Sequence, residues 1–219
     1  MKTKTKSSSA RRRRAWWLAL AALPLAGLAL VLGLTCRPAW YTPASVDYRL
    51  LDEDKRAELA FENRISAALN ADQAVEITLD QQQVNRWIAA RHELWPGEPP
   101  SLEPLEAPQV YFLDHDRIRL AGVLRRAGLA AVVSVVLELE LADDRLELRW
   151  QTPRAGLVPL PGLDMTRLLG RLNLPGAQLQ AGRLTLPTEG VWPNGRRRFR
   201  LVDLDVSAGE LRLRLVPLP

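Results

Sequence analysis

Histidine and cysteine, the residues that zinc sites use most, are few in this chain of 219 residues, which has two histidines and one cysteine. His92 and His115 are the two histidines, and neither is spaced from a second ligand as zinc sites require. The Asp-His-Asp segment at residues 114–116 could contact a cation. Three adjacent polar residues between two strands are, however, more typical of a solvated hairpin end. The sequence therefore predicts no metal site and no cofactor.

The carboxylates that come in pairs fit a structural role better than a catalytic one. Asp203 and Asp205, like Glu138 and Glu140, alternate with apolar residues and so fall on the polar face of a strand. General acid–base catalysis needs a carboxylate in a cleft with a shifted pKa. The chain also lacks a Gly-x-Ser-x-Gly elbow, a Walker loop and a dinucleotide-binding motif. We predict that the protein is not an enzyme, and a hydrolase with an unrecognised site is the least favoured alternative.

A basic cluster follows the Asn-Gly turn at residues 194–195. It consists of Arg196, Arg197, Arg198 and Arg200. Such a cluster could bind an anionic lipid headgroup or a cell-wall polymer. The favoured alternative is a charged strand end that hinders edge-to-edge aggregation.

The segment Val-Val-Ser-Val-Val at residues 132–136 is apolar on both faces of a predicted strand. A central strand that is covered on both sides explains this pattern most simply. The alternative is a strand that faces a helix on one side and an apolar ligand on the other. That alternative predicts a groove between the strand and a short helix, lined by Val133, Val135, Leu137, Leu139, Met165, Leu168, Leu169 and Leu172.

The elements that would position these residues can be read from the periodicity of the apolar positions. Residues 52–70 repeat with helical spacing, and Thr78 with Gln81 predicts a capping box for a second helix. From Gln109 onward the period is two, with turns of two or three residues, which is typical of antiparallel hairpins. A short helix over residues 163–172 interrupts the strands. The predicted fold is α+β: an N-terminal transmembrane helix, then helices packed on a long curved antiparallel β-meander.

The N-terminal segment predicts a membrane anchor that is not cleaved. Residues 15–35 form an uncharged run of about the 20 residues that a membrane-spanning helix needs. Aromatic residues stand at both ends of the run, including Trp40 and Tyr41, as the two membrane interfaces favour. Lipid attachment at Cys36 is a less favoured alternative, since Gly33 and Thr35 stand where lipoproteins usually carry Leu and Ala or Gly.

The basic residues predict the orientation of this anchor. Seven lysines and arginines precede the run and Arg37 alone follows it closely, so the N-terminus should be cytoplasmic. We predict a single-pass protein of the cytoplasmic (inner) membrane, with a basic cytoplasmic tail (1–14), a transmembrane helix (15–35), a linker (36–47) and one extracytoplasmic α+β domain (48–219).

The net charge of +5 does not describe the predicted outer domain, because the charge is distributed unevenly on the two sides of this anchor. Beyond it, 23 of the 30 basic residues stand against 25 acidic ones, a formal charge of −2. The basicity therefore belongs to the tail that sets the orientation, and nucleic acid is not an expected partner. The expected partners are the membrane, lipid and other envelope proteins.

The order of these features resembles a known group of proteins. A basic tail and single anchor precede the segment ITLDQQQVNRWIAA (77–90), hairpins, and GRLTLP (182–187) near a short helix. This order resembles the YpmS-like group of small membrane-anchored bacterial proteins of uncharacterised function, on the motif of Thr78 with Val84 and Asn85. It is similar, more distantly, to the tubular lipid-binding superfamily, in which a curved antiparallel sheet wraps a helix around a lipid. The resemblance implies no catalytic residues.

We therefore expect a non-enzymatic, anchored envelope protein whose outer domain binds a lipid or another apolar ligand. The alternative is a protein-interaction module that scaffolds a membrane complex without a ligand. The two differ in one respect: a carrier holds an internal apolar cavity, whereas a scaffold has an apolar patch on its outside.

Overall fold

The computed structural model describes residues 26–95, 105–126, 128–142, 144–161, 163, 165–166, 176–180, 182–192 and 197–219. The helices in this part of the chain are α1 (26–35), α2 (Leu51–Asn70), α3 (Gln81–Ala89) and α4 (Arg91–Leu94), with residues 165–166 also helical. The strands are β1 (Val75–Asp80), β2 (Leu105–Leu113), β3 (Arg117–Arg126), β4 (Leu129–Ala142), β5 (Arg145–Trp150), β6 (Arg154–Ala155), β7 (Val158–Pro159), β8 (Gln178–Gln180), β9 (Arg183–Pro187), β10 (Glu189–Val191), β11 (Arg198–Ser207) and β12 (Glu210–Leu218). The predicted α+β class with a long antiparallel meander is confirmed.

Several predicted features fall partly or wholly outside the described residues. The cytoplasmic tail and residues 15–25 of the predicted anchor lie there, and residues 26–35 of the anchor form α1. Leu168, Leu169, Leu172 and Arg196 lie there too. Over the part of the chain that is described, no helix is long and apolar enough to cross a membrane.

The smaller sheet has four antiparallel strands in the order β1-β12-β11-β10. Its apolar face packs against α2, because Ile65 and Leu69 are four residues apart and therefore share one side of that helix. They form a buried core with Val75, Ile77 and Leu215. The opposite face is charged, since the alternation that turns these residues inward turns the intervening ones to solvent.

The start of α3 differs from the sequence prediction. Thr78 does not cap the helix; it lies within β1, paired with Arg212 of β12. The helix instead begins after Asp80, whose Oδ1 accepts hydrogen bonds from the backbone N–H groups of Gln82 (2.8 Å) and Gln83 (3.0 Å). Pairing with β12 holds the backbone extended up to Asp80, so the first side chain able to cap the helix is the one that ends the strand.

The larger sheet has eight antiparallel strands. Six follow the order β2-β3-β4-β5-β9-β8. The other two are β6, which pairs with β4, and β7, which pairs with β6. Residues directly paired across antiparallel strands point to the same face. The registers therefore give one face that is mostly apolar. The other face is mostly charged in the half that includes Glu138, Glu140 and Glu147.

Two polar joints connect the larger sheet to the rest of the domain. Asp116 Oδ1 accepts a hydrogen bond from Val206 N (2.9 Å), which ties the β2–β3 turn to β11 of the smaller sheet. On α3, the side-chain amide of Asn85 bonds both the N–H and the C=O of Val110 (2.7 Å each). Gln81 Oε1 accepts from Phe112 N (2.7 Å). These side chains occupy the hydrogen-bonding edge of β2 as a further strand would.

Residues 37–42 of the predicted linker pack against the domain. Tyr41 is only 2% exposed and lies in a core with Ala121 and Val132. Its hydroxyl donates to Ala107 O (2.7 Å), and the neighbouring Trp40 contacts Tyr111 edge to face. The prediction that both rings mark a membrane interface is therefore wrong for Tyr41, because this ring fills the space above the small side chain of Ala121.

Candidate functional site

The four strand residues of the predicted groove lie on the apolar face of the larger sheet. They are Val133, Val135, Leu137 and Leu139, and the alternation along β4 turns all four the same way. Met165, from the predicted helix, is buried, and its backbone N–H donates to Leu163 O (3.0 Å). The other three predicted helix residues lie outside the described part of the chain.

Neighbouring strands extend this face well beyond β4. Each row consists of directly paired residues, and the rows in order along β4 are Leu105–Leu124–Ala131, Gly122–Val133–Ala155, Val110–Leu120–Val135, Phe112–Ile118–Leu137–Trp150 and Leu179–Leu184–Leu148–Leu139. Alternation in the sequence predicted an inward direction for Ile118, Leu120 and Leu148. It gave no indication of Ala155, because β6 has only two residues and shows no period.

Burial along this face is uneven. Phe112 and Leu137 are 4% and 7% exposed, at the end where β11 reaches β2, β3 and β4. Leu120, two residues beyond Ile118 on β3, is 36% exposed. Its cross-strand partners Val110 and Val135 are half-buried. The apolar face is thus most exposed in its middle row, at Leu120, and is more buried in the two neighbouring rows, which contain Leu137 and Ala155.

The opposite face of the same sheet has a different character. Near the N-terminal segment it is covered by Trp40 and Tyr41, and the guanidinium of Arg119 stacks on the Trp40 ring at 4.4 Å. Burial there lowers the pKa of Arg119 from its ordinary value. Farther along, hydrogen bonds from Arg183 and Arg149 lower the pKa of Glu147.

The candidate catalytic carboxylates are engaged in ion pairs or lie on open faces. Glu140 pairs with Arg149 at 2.8 Å, and Glu138 accepts from Gln151 at 2.8 Å. Glu138 and Glu140 line an open cleft of about 420 Å³ together with residues 115–117, Arg149 and Leu139, one of the residues of the predicted groove. Asp203 and Asp205 lie on the solvent face of the smaller sheet, opposite Arg214 and Arg212. Each of these four carboxylates therefore lies beside a basic or amide side chain, and none of the four has the isolated position that proton transfer requires.

The Asp-His-Asp turn serves as a structural joint. Asp114 and Asp116 accept backbone N–H groups of Ala208 (3.2 Å) and Val206 (2.9 Å). Those bonds occupy carboxylate oxygens that a cation would need. Among the described residues, no group of three or more potential metal ligands comes together.

The described arginines of the basic cluster are all paired with acidic side chains. Arg197 bonds Asp72 at 3.0 Å, while Arg198 and Arg200 share Glu189 at 2.8 and 2.5 Å. Local carboxylates therefore offset much of the positive charge that an anionic headgroup would meet. Headgroup binding at this cluster stays a prediction.

No family model matches the chain, and no curated protein or solved structure matches it. The resemblance to the YpmS-like group accordingly stays a prediction.

Proposed function

We propose that the chain is a non-enzymatic, single-pass membrane-anchored envelope protein whose outer domain binds a lipid or another apolar ligand. The ligand would lie on the middle row of the apolar face, over Val110, Leu120 and Val135. The observation that carries this proposal is the exposure of Leu120 in the middle of an otherwise continuous apolar sheet face.

The anchoring part of the proposal is supported by α1. Leu28, Leu30 and Leu32 are exposed on this helix, which is an unfavourable arrangement in water and a favourable one in lipid. The uncharged run continues toward the N-terminus to residue 15, where four arginines precede it. These arginines support an N-terminus in the cytoplasm and a domain outside it.

The ligand-binding part rests on the cost of leaving apolar surface in water. Each Å² of apolar surface removed from water contributes about 25 cal/mol, so an acyl chain on this face would gain free energy along its whole length. Soluble proteins rarely leave such continuous faces open unless something covers them. The charged opposite face offers no comparable surface.

The test is a substitution that fills the exposed middle row of the face. Val135→Trp should lower the number of lipid molecules per chain to the number that the anchor alone retains, and should leave the melting temperature nearly unchanged. The lipid is measured by mass spectrometry of the extracted full-length protein. The ring would occupy space that the ligand uses, and half-buried Val135 has room for it. Val132→Trp is the matched control: Val132 is three residues away on the same strand but buried against Tyr41, so overpacking there should cost about 1–3 kcal/mol of stability.

The scaffold alternative is supported by the same exposed face, since a partner protein could also cover it. It predicts that the unsubstituted protein carries only the lipid that surrounds its anchor. It also predicts that Val135→Trp changes only which proteins co-purify. Equal numbers of lipid molecules per chain in the parent and in Val135→Trp would therefore contradict the carrier proposal.

A further inference from the structure

A hairpin with prolines at or next to its ends, Pro153, Pro159 and Pro161, lies directly beside the end of α1. It comprises β6, residues 156–157 and β7, and we call it the proline hairpin. Leu157 N donates a hydrogen bond to Gly33 O at 3.0 Å. This bond satisfies one of the carbonyls that the last turn of a helix leaves without a partner.

The contact between hairpin and helix is close. Gly156 adopts a positive φ of 56°, and a Cβ at this position would lie 2.3 Å from Gly33 O and 2.7 Å from Cys36 O. On the helix side, a Cβ at Gly33 would lie 3.0 Å from Val158 Cγ2. Two glycines therefore allow the backbones to approach, and the hairpin is held at a fixed level along α1.

This level coincides with the end of the apolar run. Gly33 precedes the last residue of that run, Thr35, by two positions, which is about 3 Å along a helix axis. If α1 ends the proposed membrane anchor, the hairpin lies at the boundary between the hydrocarbon and the headgroups. The inference rests on the proposed anchoring in this respect.

The composition of the hairpin fits that location. Leu157 at its tip is 60% exposed, and Leu163 in the segment that follows is also exposed. Residues 151–163 contain no acidic side chain, and the single charged residue, Arg154, is exposed at the start of β6. The exposed Pro159 and Pro161 have no backbone N–H group to leave unsatisfied in lipid. A basic residue beside exposed leucines is typical of segments that bind the surface of anionic membranes.

We propose that the proline hairpin is a second membrane contact, in which Leu157 and Leu163 enter the lipid and Arg154 meets the headgroup phosphates. Ala155 of the hairpin pairs with Val133, so the hairpin borders the apolar face of the larger sheet.

The test measures which side chains the lipid covers. The full-length chain with Cys36→Ser would carry one cysteine at a time, labelled with an environment-sensitive fluorophore and reconstituted into vesicles of phosphatidylcholine and phosphatidylglycerol. The positions are Leu157→Cys, Leu163→Cys, Leu28→Cys on α1 and Ala142→Cys. Ala142 serves as the distant control. It is exposed at the far end of β4, about 33 Å at 3.3 Å per residue from Val132, which lies next to Val133, the partner of Ala155 in the hairpin.

The expected result is that the probes at positions 157 and 163 are quenched by spin-labelled lipid and shielded from iodide, as at position 28. The probe at position 142 should be quenched by iodide alone. Iodide quenching at both 157 and 163, with lipid quenching at 28, would overturn the hairpin contact and leave the anchor intact. Iodide quenching at 28 as well would overturn both proposals.

Discussion

Individual residues fix how the N-terminal segment is held on the domain. Gly156 is one such residue, because its backbone has a positive φ and three carbonyl oxygens, of Gly33, Leu34 and Cys36, surround the position of a Cβ. Tyr41 is another, because its buried hydroxyl bonds Ala107 O across 66 positions of sequence.

Gly156→Ala should detach the hairpin from α1. Gly128→Ala is the control, because Gly128 also has a positive φ (79°) but open space around its Cβ position. The control should lose about 1–2 kcal/mol through backbone strain alone, and Gly156→Ala should lose more in chemical denaturation. Equal losses would mean that the close contact with α1 contributes nothing.

Tyr41 should make stability depend on alkaline pH. Burial, then the proximity of Tyr111, raises the pKa of Tyr41 above its ordinary value, despite an opposing effect of Arg37. The folded state therefore holds this proton more tightly than the unfolded state, so stability falls as the pH rises past the ordinary tyrosine value of about 10. Denaturation curves taken below and above this pH should show the loss, and Tyr41→Phe should reduce it. An unchanged slope in the variant would contradict this assignment.

At the scale of elements, the sequence correctly predicted the features that local periodicity determines, namely which residues share a face of a strand or helix. Alternation placed Val133, Val135 and Leu137 on one strand face, and four-residue spacing placed Ile65 and Leu69 on one helix face. The predicted capping box at Thr78 was wrong because a pairing with β12, distant in sequence, keeps that residue extended. The bonds of Asn85 to β2 and of Asp116 to β11 were not predicted, since no local pattern indicates a partner 25 or 90 residues away.

The joint between α3 and β2 should be energetically important. Asn85→Leu would leave both backbone groups of Val110 without a partner in a largely buried place, which should cost about 2 kcal/mol or more. Gln82→Leu is the control, since Gln82 lies exposed on the same helix. The measurement is the free energy of unfolding of each variant. A loss no greater than that of the control would show that water replaces the amide.

At the scale of the whole molecule, a reporter fused after Pro219 tests the proposed orientation. It should be active only outside the cytoplasm, because the basic residues before the apolar run keep the N-terminus inside. Replacing Arg11, Arg12, Arg13 and Arg14 with neutral residues should scramble that orientation. A cytoplasmic C-terminus in the parent would contradict the proposed compartment.

The docking of residues 37–42 on the domain also determines how far the domain can travel. Twelve flexible residues over the predicted linker would let a domain sweep about 20 Å from its anchor point. Burial of Pro38 and Tyr41 removes most of that freedom. Under the proposed anchoring, the domain would then stay at a constant height above one leaflet. It would diffuse along that leaflet and rotate only together with its anchor. Exchange with a distant membrane would need a second protein to come to it.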